Sequence, residues 1–537
     1  MTRPSIRPAW RAIGRALAAR RSTFLLLGVA AVPFLPCALD LLRHGLPDVL
    51  FTGDGAVLEI RTLHALHGRQ LLGPYSRFLW SHPGPTFFYL AAPIYWLCGL
   101  RGAGIRLFVL GANFAAATAL MFAARRLRGD LFAFVVGVLL AFYEAIGAPF
   151  PLWGEWNPMT PILPLALLFF LAARLGGGAV GVLPTVAFVA SAIVQTHLGF
   201  VPVVLYLAAT GALFCLRELT LVGVVADVDR RRVGRAVALA AVVLALVWAL
   251  PVYENHTRHP GNLSQLRAFF MAPHRAEHSW RIVVDTVAGQ LAIFPLSLAR
   301  AFGRTAVEAG AAGRTVLAAA EISGLLAALG VALRRRDQSA ALLAAMALGT
   351  IVVAAFSVRV IRGEIFDYLV AWISVLGLLA CAAIATLFLR PAAGPPRRAS
   401  LVVLLVGVPL LLLAVRFSGD PPMVRDRDAR LETAVAEVTS FVRAARLDRP
   451  RLEIASHDKW PEAAALVLSL YKQRLGVTVA DDWLFMFGDE LRATPGPHPA
   501  LVVADEADAA PLRARPDCRL VASAPGVFVF YRPEGRP

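Results

Sequence analysis

Apolar runs close to 20 residues long recur from Ser22 to Phe417, each enough to cross about 30 Å of hydrocarbon as a helix. A bilayer core offers no water to the backbone, so only helices or closed barrels can span it. Runs of this length predict a polytopic α-helical membrane protein. Of the 537 residues, 58% are hydrophobic, with a mean hydropathy of +0.64, more than a soluble core needs. The formal charge of +17 sits in short arginine clusters between apolar runs. That is the pattern of cytoplasmic loops, and no nucleic-acid partner is expected. Only Lys459 and Lys472 are lysines, which with the many alanines suggests a GC-rich bacterial genome. The five cysteines stand singly, so neither a zinc site nor a disulfide framework is indicated.

Arginine clusters lie at 3–21, 125–128, 217–235, 334–336 and 390–398. If all face the cytoplasm, the spans between them come in even numbers. The stretch 83–100 then reads as a juxtamembrane or re-entrant helix. The stretch 280–302, with Arg281, Asp285, Gln290 and Arg300, reads as an interfacial one. About 11 spans result, near 22–42, 106–124, 131–149, 159–175, 179–196, 198–216, 236–253, 314–333, 339–357, 366–389 and 399–416. The N-terminus is placed in the cytoplasm. The first apolar run lacks a convincing small-residue cleavage site, so it is expected to be retained as a span.

From Ser418 the composition changes. "RLEIAS" (451–456), "GVTVA" (476–480), "ALVVAD" (500–505) and "GVFVFYR" (526–532) read as strands, with a helix over 461–475. The expected division is a transmembrane domain over 1–417 and an extracytoplasmic α/β domain over 418–537.

Several polar groups fall on the outer side of this layout. "FTGDGAVLEI" (51–60) places Asp54 between two glycines and Glu59 one helical turn beyond. Val57, Ile60, Leu63 and Leu66 follow as a stripe suited to the bilayer surface. Tyr75, Arg77 and His82 precede a proline-bounded helix. "PFPLWGEWNP" (149–158) sets Glu155 between Trp153 and Trp156, His197 ends the fifth span, and Glu254 opens a loop with irregularly spaced histidines. Arg359, Arg362 and Tyr368 stand where the ninth and tenth spans meet. Each has a plainer reading: a turn for Gly-Asp-Gly, an interface belt for the tryptophans, a core for His197, lipid anchors for the arginines. Their gathering on one face is what marks them.

An N-terminal span, an acid in the first outer loop, a His-Pro juxtamembrane helix and an acid in the second outer loop: this order resembles the GT-C superfamily of integral-membrane glycosyltransferases. Its members include protein O-mannosyltransferases, lipid A aminoarabinose transferases and mycobacterial arabinofuranosyltransferases. The resemblance covers about 22–370 as architecture and is sharpest at 51–98 and 150–158. "HPGP" (82–85) approximates the mannosyltransferases' His-Pro-Pro. Where those enzymes carry an Asp-Glu pair, Asp54 is followed by Gly55, leaving Glu59 or Glu155 for any second acid.

The resemblance implies a GT-C-like bundle that passes a sugar from a polyprenyl-phosphate carrier to a glycan, lipid or protein hydroxyl. Such chemistry needs a carboxylate opposite the leaving phosphate to take the hydroxyl proton, the role expected of Asp54, with Glu155 orienting the acceptor or sharing the work. Arg362, with Arg359, is expected to meet the phosphate, assisted by His82 or Arg77. Glu59, Tyr75, Trp156, His197, Glu254 and Tyr368 are expected substrate contacts. No metal is required for a monophosphate leaving group, although Asp54 and Glu155 could ligate a divalent cation, as acids do in some relatives. Other readings are an O-antigen ligase or polysaccharide polymerase using a pyrophosphate-linked donor, and a transporter or flippase, which predicts repeats absent from this sequence. Reporter fusions at Gly129 and Gly476 should report cytoplasmic and extracytoplasmic positions respectively; an external signal at Gly129 would return 83–100 to a full crossing.

Overall fold

The computed structural model describes residues 22–147, 150–221, 230–273, 277–301, 310–389, 407 and 428–533. By packing, the chain divides into two compact units. The first comprises Met1–Arg43, Val109–Trp248 and Ala272–Pro421; the second comprises His44–Phe108, Ala249–Met271 and Pro422–Pro537. The division falls within two continuous helices, Ala103–Arg128 and Arg230–Thr257.

Among the described residues, eight helices are long and apolar enough to cross a membrane: Ser22–His44, Ala103–Arg128, Leu198–Thr220, Arg230–Thr257, Trp280–Ala299, Ala311–Arg334, Gln338–Arg359 and Asp367–Ala385. Ile162–Gly176 and Val180–Thr196 are shorter apolar helices where spans were expected. The segment expected at 131–149 forms Asp130–Phe142, continued by a π-turn over Tyr143–Gly147. The span expected at 399–416, Gly407 apart, and the domain boundary at 417/418 lie outside the described residues.

One expectation changes. Trp280–Leu291 and Ile293–Ala301 follow each other as an apolar run long enough to cross, rather than a short interfacial helix. Val283, Val287, Ala288 and Leu291 are buried, in contact with three neighbouring long helices. Arg281 and Asp285, which argued for the interface, sit exposed in its first turns.

Close helix packing in the first unit follows from small residues, as it must where apolar burial between lipid-immersed helices contributes little. A Cβ at Gly211 would stand 2.8 Å from the Ala172 carbonyl oxygen, so only glycine permits that approach between Ile162–Gly176 and Val201–Leu221. At the basic ends, Arg128 donates to Asp337 and Ser339 at 2.7 Å and to the Leu389 carbonyl at 2.6 Å, joining three helix ends through one guanidinium.

The second unit is where the polar chemistry gathers. Its helices are labelled α1 (Gly53–Leu66), α2 (Thr86–Leu97), α3 (Asn262–Met271) and α4 (Ala429–Ala444). Then come β1 (Arg451–Ile454), α5 (Trp460–Lys472), β2 (Thr478–Val479), α6 (Leu484–Phe487), β3 (Ala500–Ala504), α7 (Glu506–Arg513), β4 (Arg519–Ala524) and β5 (Val527–Arg532). The sheet order is β2-β1-β3-β5-β4, parallel across β2, β1 and β3 and antiparallel beyond. Four strands and α5 appear where alternation and apolar runs predict them. β4 is an edge strand with Arg519 and Leu520 exposed, so its sequence lacks the alternating pattern that marks a half-buried strand.

At 12 residues α2 is about 18 Å long, too short to cross the hydrocarbon, in line with a juxtamembrane helix. The stripe on α1 is placed differently from expectation. Val57, Ile60 and Leu63 are buried at 1%, 0% and 4% exposure, and nearly every α1 side chain to Ala65 is enclosed. Its apolar face meets protein, because α2 and α5 flank it.

Candidate active site

The chain enters α1 through a bend. Thr52 is extended and Gly53 has φ +51°, a conformation glycine adopts without steric cost. A Cβ at Gly53 would also touch the Trp460 ring at 3.4 Å. Asp54 follows in the first turn, where the helix dipole favours a carboxylate. It accepts a hydrogen bond from the Tyr75 hydroxyl.

Tyr75 belongs to a tight hairpin. The His82 amide donates to the Pro74 carbonyl at 2.8 Å and the Ser76 amide to the Trp80 carbonyl at 2.8 Å. Asn262 clamps this hairpin, accepting from the Ser81 amide at 2.9 Å and donating to the Ser81 carbonyl at 2.8 Å. Glu254 in turn accepts from the Asn262 amide at 3.0 Å. Glu254 is therefore buried in scaffolding rather than presented to substrate. His82 is also buried, edge-on to Trp80 at 5.6 Å, whereas Arg77 is exposed over the Phe78 ring at 4.9 Å.

Glu59 differs from expectation as well. It is fully buried, and its Oε1 receives the Lys472 ammonium at 2.7 Å and the Tyr95 hydroxyl at 2.6 Å. A carboxylate taken out of water needs such partners, so Glu59 serves the fold rather than a substrate. Burial raises its pKa above the ordinary carboxylate value, opposed by the charge and hydrogen bond of Lys472 and the hydrogen bond of Tyr95.

Further along α1, Arg61 donates to the carbonyls of Met486 and Phe485, both at 3.0 Å. His64 meets the Tyr471 ring edge-on at 5.4 Å. Its Nδ1 lies 3.5 Å from Glu490, but no hydrogen bond forms. Burial, then the charge of Arg61, push its pKa down to about 3. Gly488, at φ +100°, leaves room for this cluster; a Cβ there would stand 3.2 Å from the Arg61 guanidinium and 3.3 Å from the His64 ring. Arg258 pairs with Asp489 alongside. Lys472, Tyr95, Arg61, His64 and Trp460 were not among the sequence candidates. The scarcity of lysine was the one hint at Lys472.

The first unit holds the remaining candidates. The Glu155 loop is pinned by Asn113, which donates to the Leu152 carbonyl at 2.8 Å. Trp156 meets Tyr368 at 5.1 Å, so this loop and the segment after Arg362 come together. Tyr368 also stacks on Phe366 at 5.7 Å. Arg359 lies 4.5 Å over the Trp280 ring and donates to the His278 carbonyl at 3.0 Å, the contacts of an anchor. Arg362 is half-buried and its guanidinium is 3.5 Å from the Ala272 carbonyl oxygen, the outer limit of a hydrogen bond. His197 is buried and caps a short helical turn, its Nδ1 accepting from the Gly199 amide at 3.3 Å. Among the described residues, no three His, Cys, Asp or Glu side chains gather closely enough to hold a metal ion.

By sequence, no family model matches the chain and no curated protein matches it. Solved structures do. ArnT from Cupriavidus metallidurans in the apo state aligns at a TM-score of 0.51 with 17% identity, over 96% of this chain and 98% of that one. The same enzyme bound to undecaprenyl phosphate aligns at 0.51 with 15% identity, over 95% and 97%. This chain shares the fold of ArnT. At such identity the likeness is one of fold, and residue roles rest on the geometry above.

Two outcomes test the electrostatics of the second unit. Lys472→Met strands the Glu59 carboxylate. It should destabilise the second unit by about 2–3 kcal/mol, below the value for a fully enclosed pair because the Lys472 side chain is 26% exposed. Adding Glu59→Gln should recover most of the loss, read by hydrogen exchange at α1 and α5 amides. His64 titrates near 6.5 when unfolded and about 3 when folded. The stability it contributes is therefore complete above pH 6.5 and is lost as pH falls toward 3. His64→Phe should flatten the thermal stability profile between about pH 6 and pH 4, with no loss at neutral pH.

Proposed function

We propose that this protein is an inverting glycosyltransferase that moves a sugar from a polyprenyl-phosphate carrier to an acceptor hydroxyl at the extracytoplasmic face of a bacterial plasma membrane. Asp54 carries the reading. It is a carboxylate at the head of an enclosed helix, held by a tyrosine hydroxyl. The chain around it shares its fold almost end to end with ArnT, one structure of which is bound to undecaprenyl phosphate.

In this reading the acceptor oxygen attacks the anomeric carbon from the face opposite the phosphate, and the bond from that carbon to the phosphate oxygen breaks. Asp54 takes the hydroxyl proton as the new bond forms. Tyr75 holds the Asp54 carboxylate in one orientation, so the base is preset before substrate arrives. Arg362 meets the charge growing on the departing phosphate. Arg359, engaged with Trp280, holds the segment that carries Arg362. Trp156 and Tyr368, whose rings meet, are proposed as substrate contacts, as is Glu155.

No step is routed through a divalent cation, since a monophosphate leaving group can be met by guanidinium groups. The loop that would favour a pyrophosphate-using ligase has Glu254 and Asn262 occupied in holding the Tyr75 hairpin. Asp54→Asn should lower transfer of labelled sugar from polyprenyl phosphate at least about 100-fold in kcat, with expression and α1 hydrogen exchange unchanged. Near-normal turnover would remove Asp54 as the base.

A further inference from the structure

β2, β1 and β3 are parallel, so the loops that leave them emerge at one end of the sheet, the end where open α/β sheets hold their ligands. Two of these loops are aromatic. After β1 comes "HDKW" (457–460); after β2 comes "DDWLF" (481–485). The His457 and Trp483 rings lie 5.2 Å apart, tilted by 30°. Trp460 rests on Gly53 and meets the Tyr75 ring edge-on at 6.5 Å. Phe485 meets Tyr75 at 5.7 Å. Because Tyr75 bonds Asp54, aromatic rings extend from the proposed base to the carboxyl end of the sheet, all within the second unit. Exposed acids border them: Asp458 beside Lys459 at 3.3 Å, Asp481 on Arg492 at 3.1 Å, and Asp482.

We propose that these two strand-end loops form the acceptor subsite and that the acceptor is a glycan, an inference that rests on the transferase reading. A sugar ring presents an apolar C–H face and a rim of hydroxyls. Flat aromatic rings take the first, and carboxylates accept from the second. The ring bearing the accepting hydroxyl lies against Trp460 and Tyr75, with that hydroxyl at Asp54. The neighbouring residue of the glycan lies on His457 and Trp483, where Asp458 and Asp482 accept its hydroxyl hydrogens. A lipid chain finds no use for this bordering charge.

The full chain in lipid nanodiscs is passed over immobilised mannan, galactan and arabinan oligosaccharides and delipidated lipopolysaccharide core. At least one of these should be retained, with affinity falling at least about fivefold in Trp483→Ala and largely kept in Trp483→Phe. In parallel, membranes receive labelled polyprenyl-phosphate sugar. Trp483→Ala should raise the acceptor KM, whereas Asp54→Asn removes kcat, and label should appear in polysaccharide or glycolipid headgroup. Absence of glycan retention, retention indifferent to Trp483→Ala, or label confined to protein each overturns the proposal while leaving the transferase reading in place. Retention that depends on Trp483 without any transfer overturns that reading and keeps the glycan site.

Discussion

Glu59 sits where no water reaches, and a carboxylate there is tolerable only with a donor set waiting for it. Tyr95 from α2 and Lys472 from α5 both donate to its Oε1, so one side chain draws α1, α2 and α5 together. Asp54 lies on the same helix, five positions earlier. What holds α1 therefore also positions the carboxylate that the proposed chemistry needs. Arg61 extends the hold by fastening the Phe485 and Met486 carbonyls, and the left-handed Gly488 leaves room for its guanidinium.

This arrangement joins the C-terminal sheet to the helix that carries Asp54. Trp460 and Phe485 reach Tyr75, and Tyr75 reaches Asp54. The hairpin that carries Tyr75 is in turn framed by Asn262 and Glu254. Acceptor choice, on the proposal above, belongs to the strand-end loops of the sheet.

The residues that sequence reasoning found and those it missed differ in a definite way. Asp54 was legible because an acid between glycines beside an apolar run is conspicuous, and Trp156 with Tyr368 because aromatic residues at span ends stand out. Lys472, Arg61 and His64 were not, because a charged residue on a helix looks solvated until its partner is known. The same blindness placed the Val57, Ile60 and Leu63 stripe on a lipid surface. An apolar face records that something apolar covers it, without recording whether lipid or protein does so. Glu59 and Glu254, conspicuous as acids in the sequence, are both buried and hydrogen-bonded within the protein.

By itself the sequence determined that this chain crosses a membrane many times, that a small C-terminal sheet region follows, and where conspicuous acids and arginines stand between the apolar runs. These are local properties, written in run lengths, strand alternation and charge clusters. Only the tertiary structure decided that α1 is enclosed by protein, that Lys472 answers Glu59, and that the carboxyl end of the sheet meets Asp54 through Tyr75. Those contacts join residues hundreds of positions apart, and whether a buried charge has a partner is set by the packing of both segments together.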